Sequence, residues 1–161
     1  MLTHDVYAET NPALCALLAA SFSSGYMAIK GAGPELSLFY LSLPLVLSGD
    51  VQHCFDKTAK TTVLGEWLLK NPRVTIGFAE RVNGTLAITT EGVRFGLMSN
   101  MLAFSGQAEI STSLVGAEKV TLAAKHNPTI LSFIKHAERL GSWFAKAGST
   151  RSVFEAFGVT L

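Results

Sequence analysis

The sequence predicts a mainly α-helical fold: one compact helical domain with a winged-helix-like middle segment and one small β-hairpin. Three observations carry this expectation. Asn11-Pro12, Asn71-Pro72 and Asn127-Pro128 each precede apolar residues at helical spacing. Asn accepts hydrogen bonds from the free N–H groups of a first turn, and Pro in the next position lacks an N–H that would be left over. Two apolar stretches, residues 10–29 and 36–47, carry no charge. Ala103 to Ile110, with Gly106-Gln107 at its centre, has the length of a tight hairpin.

Taken in order, the first helix should run from Pro12 to Ile29 and end in the Gly-rich turn 30–33. Gly33-Pro34 should open a second helix reaching Leu47, bent or broken near Pro44 because proline removes an interior donor. Ser48 to Thr58 reads as a loop. A short helix from Ala59 to Lys70 would place Val63, Leu64, Trp67 and Leu68 on one face. Pro72 should start another, with Val74, Phe78 and Val82 four apart. An Asn83-Gly84 turn should follow, and Thr89 or Thr90 should cap a helix with the stripe Val93, Leu97, Met98 and Met101. Helix, helix, turn, helix and hairpin between Ala59 and Ser111 is the order of a winged helix-turn-helix. Residues 113–126 read as a linker. A helix from Pro128 to Ala147 should stop at Gly148, and Ser149 or Thr150 should start a final helix ended by Gly158. The whole reads as a single domain, 1–161, with an apolar helical part (1–56), a winged-helix-like part (57–112) and C-terminal helices (113–161).

Charged residues make up 16% of the chain, against roughly 25% in a typical soluble domain. Mean hydropathy is +0.34. Disorder is excluded by such an apolar composition. The net charge of +1 argues against a protein that coats polyanions. Membrane insertion is disfavoured, because residues 10–29 are interrupted by Asn11, Pro12, Ser21, Ser23, Ser24 and Gly25, and residues 36–47 are too short to span. The N-terminus, with two acids and no Lys or Arg in its first nine residues, does not read as a signal peptide. Cys15 and Cys54 form no CxxC pair and read as buried free thiols of a cytoplasmic protein. A surface this poor in charge therefore points to a subunit covered by partners. Charge is also uneven: residues 1–56 hold one Lys and five acids, 57–94 six bases and three acids, and 125–151 five bases and one acid.

No catalytic constellation emerges, so no enzyme is expected, nor any cofactor or metal. The histidines lack the spacing of metal sites. His53-Cys54 could be written as a thiol–imidazole pair, but neighbours in sequence rarely reach the required geometry. In the expected recognition helix Arg94 is the one arginine, too little for the phosphate neutralisation that dominates DNA affinity. The candidate surface is the last long helix, where Lys135, Arg139, Ser142 and Lys146 follow steps of three or four opposite Ile134, Ala137, Leu140 and Phe144. That face is either simply solvated or a contact for an acidic partner or a nucleic-acid backbone. Trp143 and Phe144 cannot both point inward, and one ring should sit at a flank, where aromatics anchor interfaces. Phe154 and Phe157 are expected in the core or docked on another chain.

Seven blocks occur in a characteristic order: Asn11-Pro12-Ala13, Leu43-Pro44-Leu45-Val46-Leu47, Trp67-Leu68 with Asn71-Pro72, Phe78-Ala79-Glu80-Arg81, Phe95-Gly96, Arg139-Leu140-Gly141 with Trp143 to Gly148, and Phe157-Gly158-Val159. In this the chain resembles the middle component of bacterial three-component ABC ATPase systems, the small subunit of Lamassu-type anti-phage and anti-plasmid defence complexes. The resemblance implies a non-catalytic accessory subunit joining an SMC-like ABC ATPase to an effector, often a nuclease, with DNA contact possible through the complex. The alternative is a small winged-helix DNA-binding transcriptional regulator, whose binding would depend on Arg94.

Overall fold

Asn11 starts the first helix as its sequence requires. Its side-chain oxygen accepts hydrogen bonds from the backbone N–H groups of Ala13 (3.0 Å) and Leu14 (3.4 Å). The computed structural model describes residues 11–113 and 127–160. Helix α1 spans Pro12–Lys30 and ends at Gly31, which adopts the left-handed conformation (φ 73°) that glycine reaches without steric cost. It is followed by α2 (Leu36–Leu47), a 3₁₀ segment (Gly49–Phe55), α3 (Leu64–Lys70), a 3₁₀ turn (Pro72–Val74), α4 (Phe78–Met98), strands β1 (Leu102–Phe104) and β2 (Ile110–Thr112), α5 (Pro128–Lys146) and α6 (Thr150–Phe157). The fold is mainly helical with one small antiparallel hairpin, in which Ala103 faces Ser111.

Helix α1 is the centre of the structure, packed most extensively against α5 and then α4. Its serines and its run of Ala and Gly suit that position. Ser21 donates to Leu17 O within the helix, and Ser23, fully buried, donates to Ile110 O at 2.9 Å, so neither hydroxyl is left unpaired in the interior. The small residues let neighbouring backbones come close. A Cβ on Gly25 would lie 2.1 Å from Glu138 O, and one on Gly92 of α4 would lie 2.5 Å from Cys15 Cβ. By length and composition α1 could cross a membrane, but over half of its apolar window is buried inside the fold.

A run of rings joins the outer helices to this centre. Phe22 meets Phe39 of α2 (5.2 Å) and Phe144 of α5 (5.4 Å) edge-on, while Phe157 of α6 meets Phe144 (5.7 Å) and stacks on Phe78 of α4 (4.7 Å). Phe157 and Phe154 are both buried members of the core. Each fully buried ring of this kind contributes roughly 1.5–3 kcal/mol through removal from water, so the short α6 is held by its tertiary contacts and not by helix propensity.

Several element boundaries differ from expectation. The Asn83-Gly84 turn is not formed, and Phe78–Met98 is one continuous helix, so the helix-turn-helix order on which the winged-helix expectation rested is replaced by a short helix, a 3₁₀ turn and one long helix before the hairpin. The reason is tertiary. Val82 before the Asn-Gly pair and Ile88 after it both pack on the core, and that alignment outweighs the ~1 kcal/mol an interior glycine costs. Gly33-Pro34 does not open α2. Its backbone is used instead to flank the hairpin, with Ile110 N–H donating to Pro34 O (2.9 Å) and Leu36 N–H to Ala108 O (2.8 Å). Helix α2 continues through Pro44 to Leu47. Asn71 caps nothing. Its side-chain amide donates back to Trp67 O (2.9 Å), and Pro72 begins only a 3₁₀ turn. The 48–58 loop is largely 3₁₀. The expected linker falls almost wholly outside the described residues.

Candidate functional site

Asn127 initiates α5 by accepting from Thr129 N–H (3.1 Å) and Ile130 N–H (3.3 Å). This fixes the helix that carries most of the candidate contact residues. Its basic residues have separate fates. Arg139 is half-buried and donates to Phe55 O (3.4 Å) and Thr58 Oγ1 (3.2 Å). Lys146 is exposed, with its ammonium donating to Lys60 O at 2.6 Å. Ser142 is buried and donates to Gly25 O (3.3 Å). Lys135 alone of the four is exposed with no hydrogen bond among the described residues. The expected stripe is thus a seam on one side, stitching α5 to the 55–60 segment, and an exposed lysine on the other.

Trp143 corrects the expectation of a ring at the flank. Both Trp143 and Phe144 are fully buried. Trp143 Nε1 donates to Ala59 O (2.8 Å), and the indole packs against Trp67 (4.9 Å) and Phe55 (5.9 Å). The two rings share the interior because α5 is covered on two sides, by α1 and by the 55–67 region. Arg94 sits on α4 and pairs with Glu91 at 2.9 Å, both side chains more than half exposed. Such a pair contributes little.

Lys135 and Arg139 are nevertheless brought together. They line an open cleft of about 360 Å³ between the first half of α5 and the 55–58 segment, together with Lys57, Asp56, Ser132 and His136. Lys57 has a positive φ of 60°, which is uncommon outside glycine. Arg94 does not line this cleft. With three cations and one carboxylate, the cleft suits an acidic group better than a basic one.

His136 was not singled out by sequence, and it forms the floor of the cleft. The ring stacks on Phe55 (4.2 Å, 8° between planes). Nδ1 lies 2.8 Å from Gln52 Oε1. Gln52 spends its amide N–H groups on Val46 O and Ser48 O, so Oε1 accepts and Nδ1 carries the proton. Nε2 is left to accept from Ser132 Oγ at 3.5 Å. Burial, reinforced by the Arg139 charge, lowers the imidazole pKa to about 4, in keeping with a neutral ring. Gln52 is 84 residues away, so no local pattern could have shown the pair. Glu138, two residues on, has its carboxyl pushed above the usual range by burial.

His53 and Cys54 do meet, with Sγ 3.7 Å from Nε2. Burial raises the thiol pKa against the lowering influence of Arg73, whereas reactive cysteines need a stabilised thiolate. Among the described residues no group of three or more His, Cys, Asp or Glu side chains could hold a metal ion.

The family model of the ABC-three component (ABC-3C) system Middle Component 3 matches residues 1–161. No curated protein and no solved structure matches the chain.

Proposed function

The chain belongs to the ABC-three component system Middle Component 3 family, and from that premise we propose that it is a non-catalytic bridging subunit, docking an SMC-like ABC ATPase to its effector. The effector in this reading is a nuclease held inactive until foreign DNA is sensed, and the complex serves anti-phage and anti-plasmid defence. It acts in the cytoplasm, a reading that rests on two buried cysteines with no CxxC spacing. DNA is met through the complex and not by this chain alone.

The observation that carries the docking role is apolar exposure on elements that pack on each other. Phe95 and Met98 on α4 and Phe104 on β1 are all exposed, Met98 at 79%, and α4 packs directly against β1. Single exposed apolar residues are ordinary. Large ones gathered on adjoining elements of a charge-poor chain suit a protein interface. The cleft holding Lys57, Lys135 and Arg139 supports a second contact, with an acidic partner surface. The transcriptional-regulator reading has less support: its recognition helix is part of the continuous α4, and Arg94 is engaged by Glu91.

The test is co-purification of the ATPase and effector encoded beside this chain, with and without it. Their association should need the chain and should fall with Met98→Glu or Phe104→Glu. Equal association in its absence would sink the bridging role.

A further inference from the structure

A second cleft, at the beginning of the 3₁₀ segment, takes no part in the contacts above. It has a volume of about 360 Å³ and is lined by Asp50, Val51, Arg73, Ile76 and Arg81. Two arginines therefore line one opening. Arg81 Nη1 is closed off from solvent and has no hydrogen-bond partner. Asp50 lines the same cleft, yet the ion pairs among the described residues join Arg94 to Glu91 and Arg151 to Glu155, leaving both cleft arginines without a carboxylate. Arg73 has one nitrogen 3.3 Å from His53 Nε2, a contact that steadies its guanidinium without neutralising it.

Nothing here favours the stability of the chain by itself. A buried N–H on a charged group costs most when it is unpaired. Arg81 also stands near the start of α4, where the helix dipole disfavours a cation and welcomes an anion. Ile76, 71% exposed, gives the same rim an apolar contact.

We propose that this cleft receives the carboxylate of an acidic residue, flanked by an apolar one, presented by another protein component of the same ABC-three component system; the proposal rests on the bridging reading above. A carboxylate matches the planar fork of a guanidinium with two parallel hydrogen bonds. A nucleic-acid backbone fits less well, because its affinity comes from many neutralised phosphates, and this cleft offers two cations beside the opposing charge of Asp50.

The experiment co-expresses the tagged chain with the other two components of its system and measures their retention, for wild type, Arg81→Met and Arg73→Met. The melting temperature of each variant chain and its retention on immobilised duplex DNA are recorded in parallel. Arg81→Met should weaken association at least about tenfold while leaving the melting temperature unchanged or raised. Arg73→Met, at an exposed position, should weaken association without altering stability. Retention equal to wild type in both variants overturns the cleft proposal and leaves the bridging role standing, since the wild-type complex still forms. Failure of the wild-type chain to retain either component overturns both. Loss of duplex-DNA retention with component binding intact replaces the carboxylate by a phosphate and overturns the proposal, as does a lowered melting temperature with unchanged association.

Discussion

Gly141 of α5 lies against the backbone of Phe22 in α1 so closely that a Cβ at position 141 would sit 2.2 Å from the Phe22 carbonyl oxygen. The obstacle is main chain, with a further contact at Tyr26 N (2.7 Å), so no side-chain rotation relieves it. Gly141→Ala should therefore destabilise at the upper end of overpacking effects, about 3 kcal/mol or more. Gly65→Ala, in the helical α3 and facing open space, should be neutral or stabilise by up to about 1 kcal/mol. Urea unfolding of the two variants measures the contrast.

Acid should weaken the fold through His136. Its folded pKa, about 4, lies below the unfolded value of about 6.5, so in that interval the unfolded chain binds the extra proton. Its contribution is complete above about pH 6.5 and is lost as pH falls toward 4. Glu138, with a raised pKa, acts in the opposite sense just above the usual carboxylate range. The difference between wild type and His136→Asn isolates the imidazole. The stability gap should shrink on the acid side by on the order of 1–2 kcal/mol, after allowance for solvent screening. A constant gap from pH 7 to pH 4 would show that His136 titrates normally.

Arg139 and Lys135 should separate cleanly. Arg139→Ala frees Phe55 O and Thr58 from the α5 seam and should cost about 1–2 kcal/mol of stability. Lys135→Ala, at an exposed position, should stay within about 0.5 kcal/mol of wild type and act only on partner binding. Thermal melts together with co-purification distinguish the two.

Trp67 and Trp143 are the chain's two tryptophans, and both are buried. Native emission should be blue-shifted and poorly quenched by acrylamide, and partner binding should leave it nearly unchanged. Trp143→Phe, losing the bond to Ala59 O and part of the ring, should cost about 2–3 kcal/mol. Strong quenching in the native state would place Trp143 at the surface.

Where α1, α5 and α6 begin, and where α1 and α6 end, was legible in the chain itself. Asn11, Asn127 and Ser149 accept from N–H groups two or three residues ahead, and Gly31 and Gly158 close their helices in the left-handed region. These are interactions across a single turn, so the local sequence contains all the partners. The absence of charge from 10–29 and 36–47 likewise foretold two deeply buried helices. Other features depended on residues far apart in sequence. Asn83-Gly84 became helix because Val82 and Ile88 on either side of it both pack on the core. Trp143 is interior because Ala59 and Trp67 cover it. Arg139 binds Phe55, and His136 binds Gln52, each across 84 residues. The Arg73 and Arg81 cleft exists only because the 3₁₀ turn and the start of α4 meet beside Asp50 and Val51. A spacing of three or four residues specifies which side chains share a helix face. Which of those faces is solvated, stitched down or left open for a partner depends on what the rest of the chain lays against it.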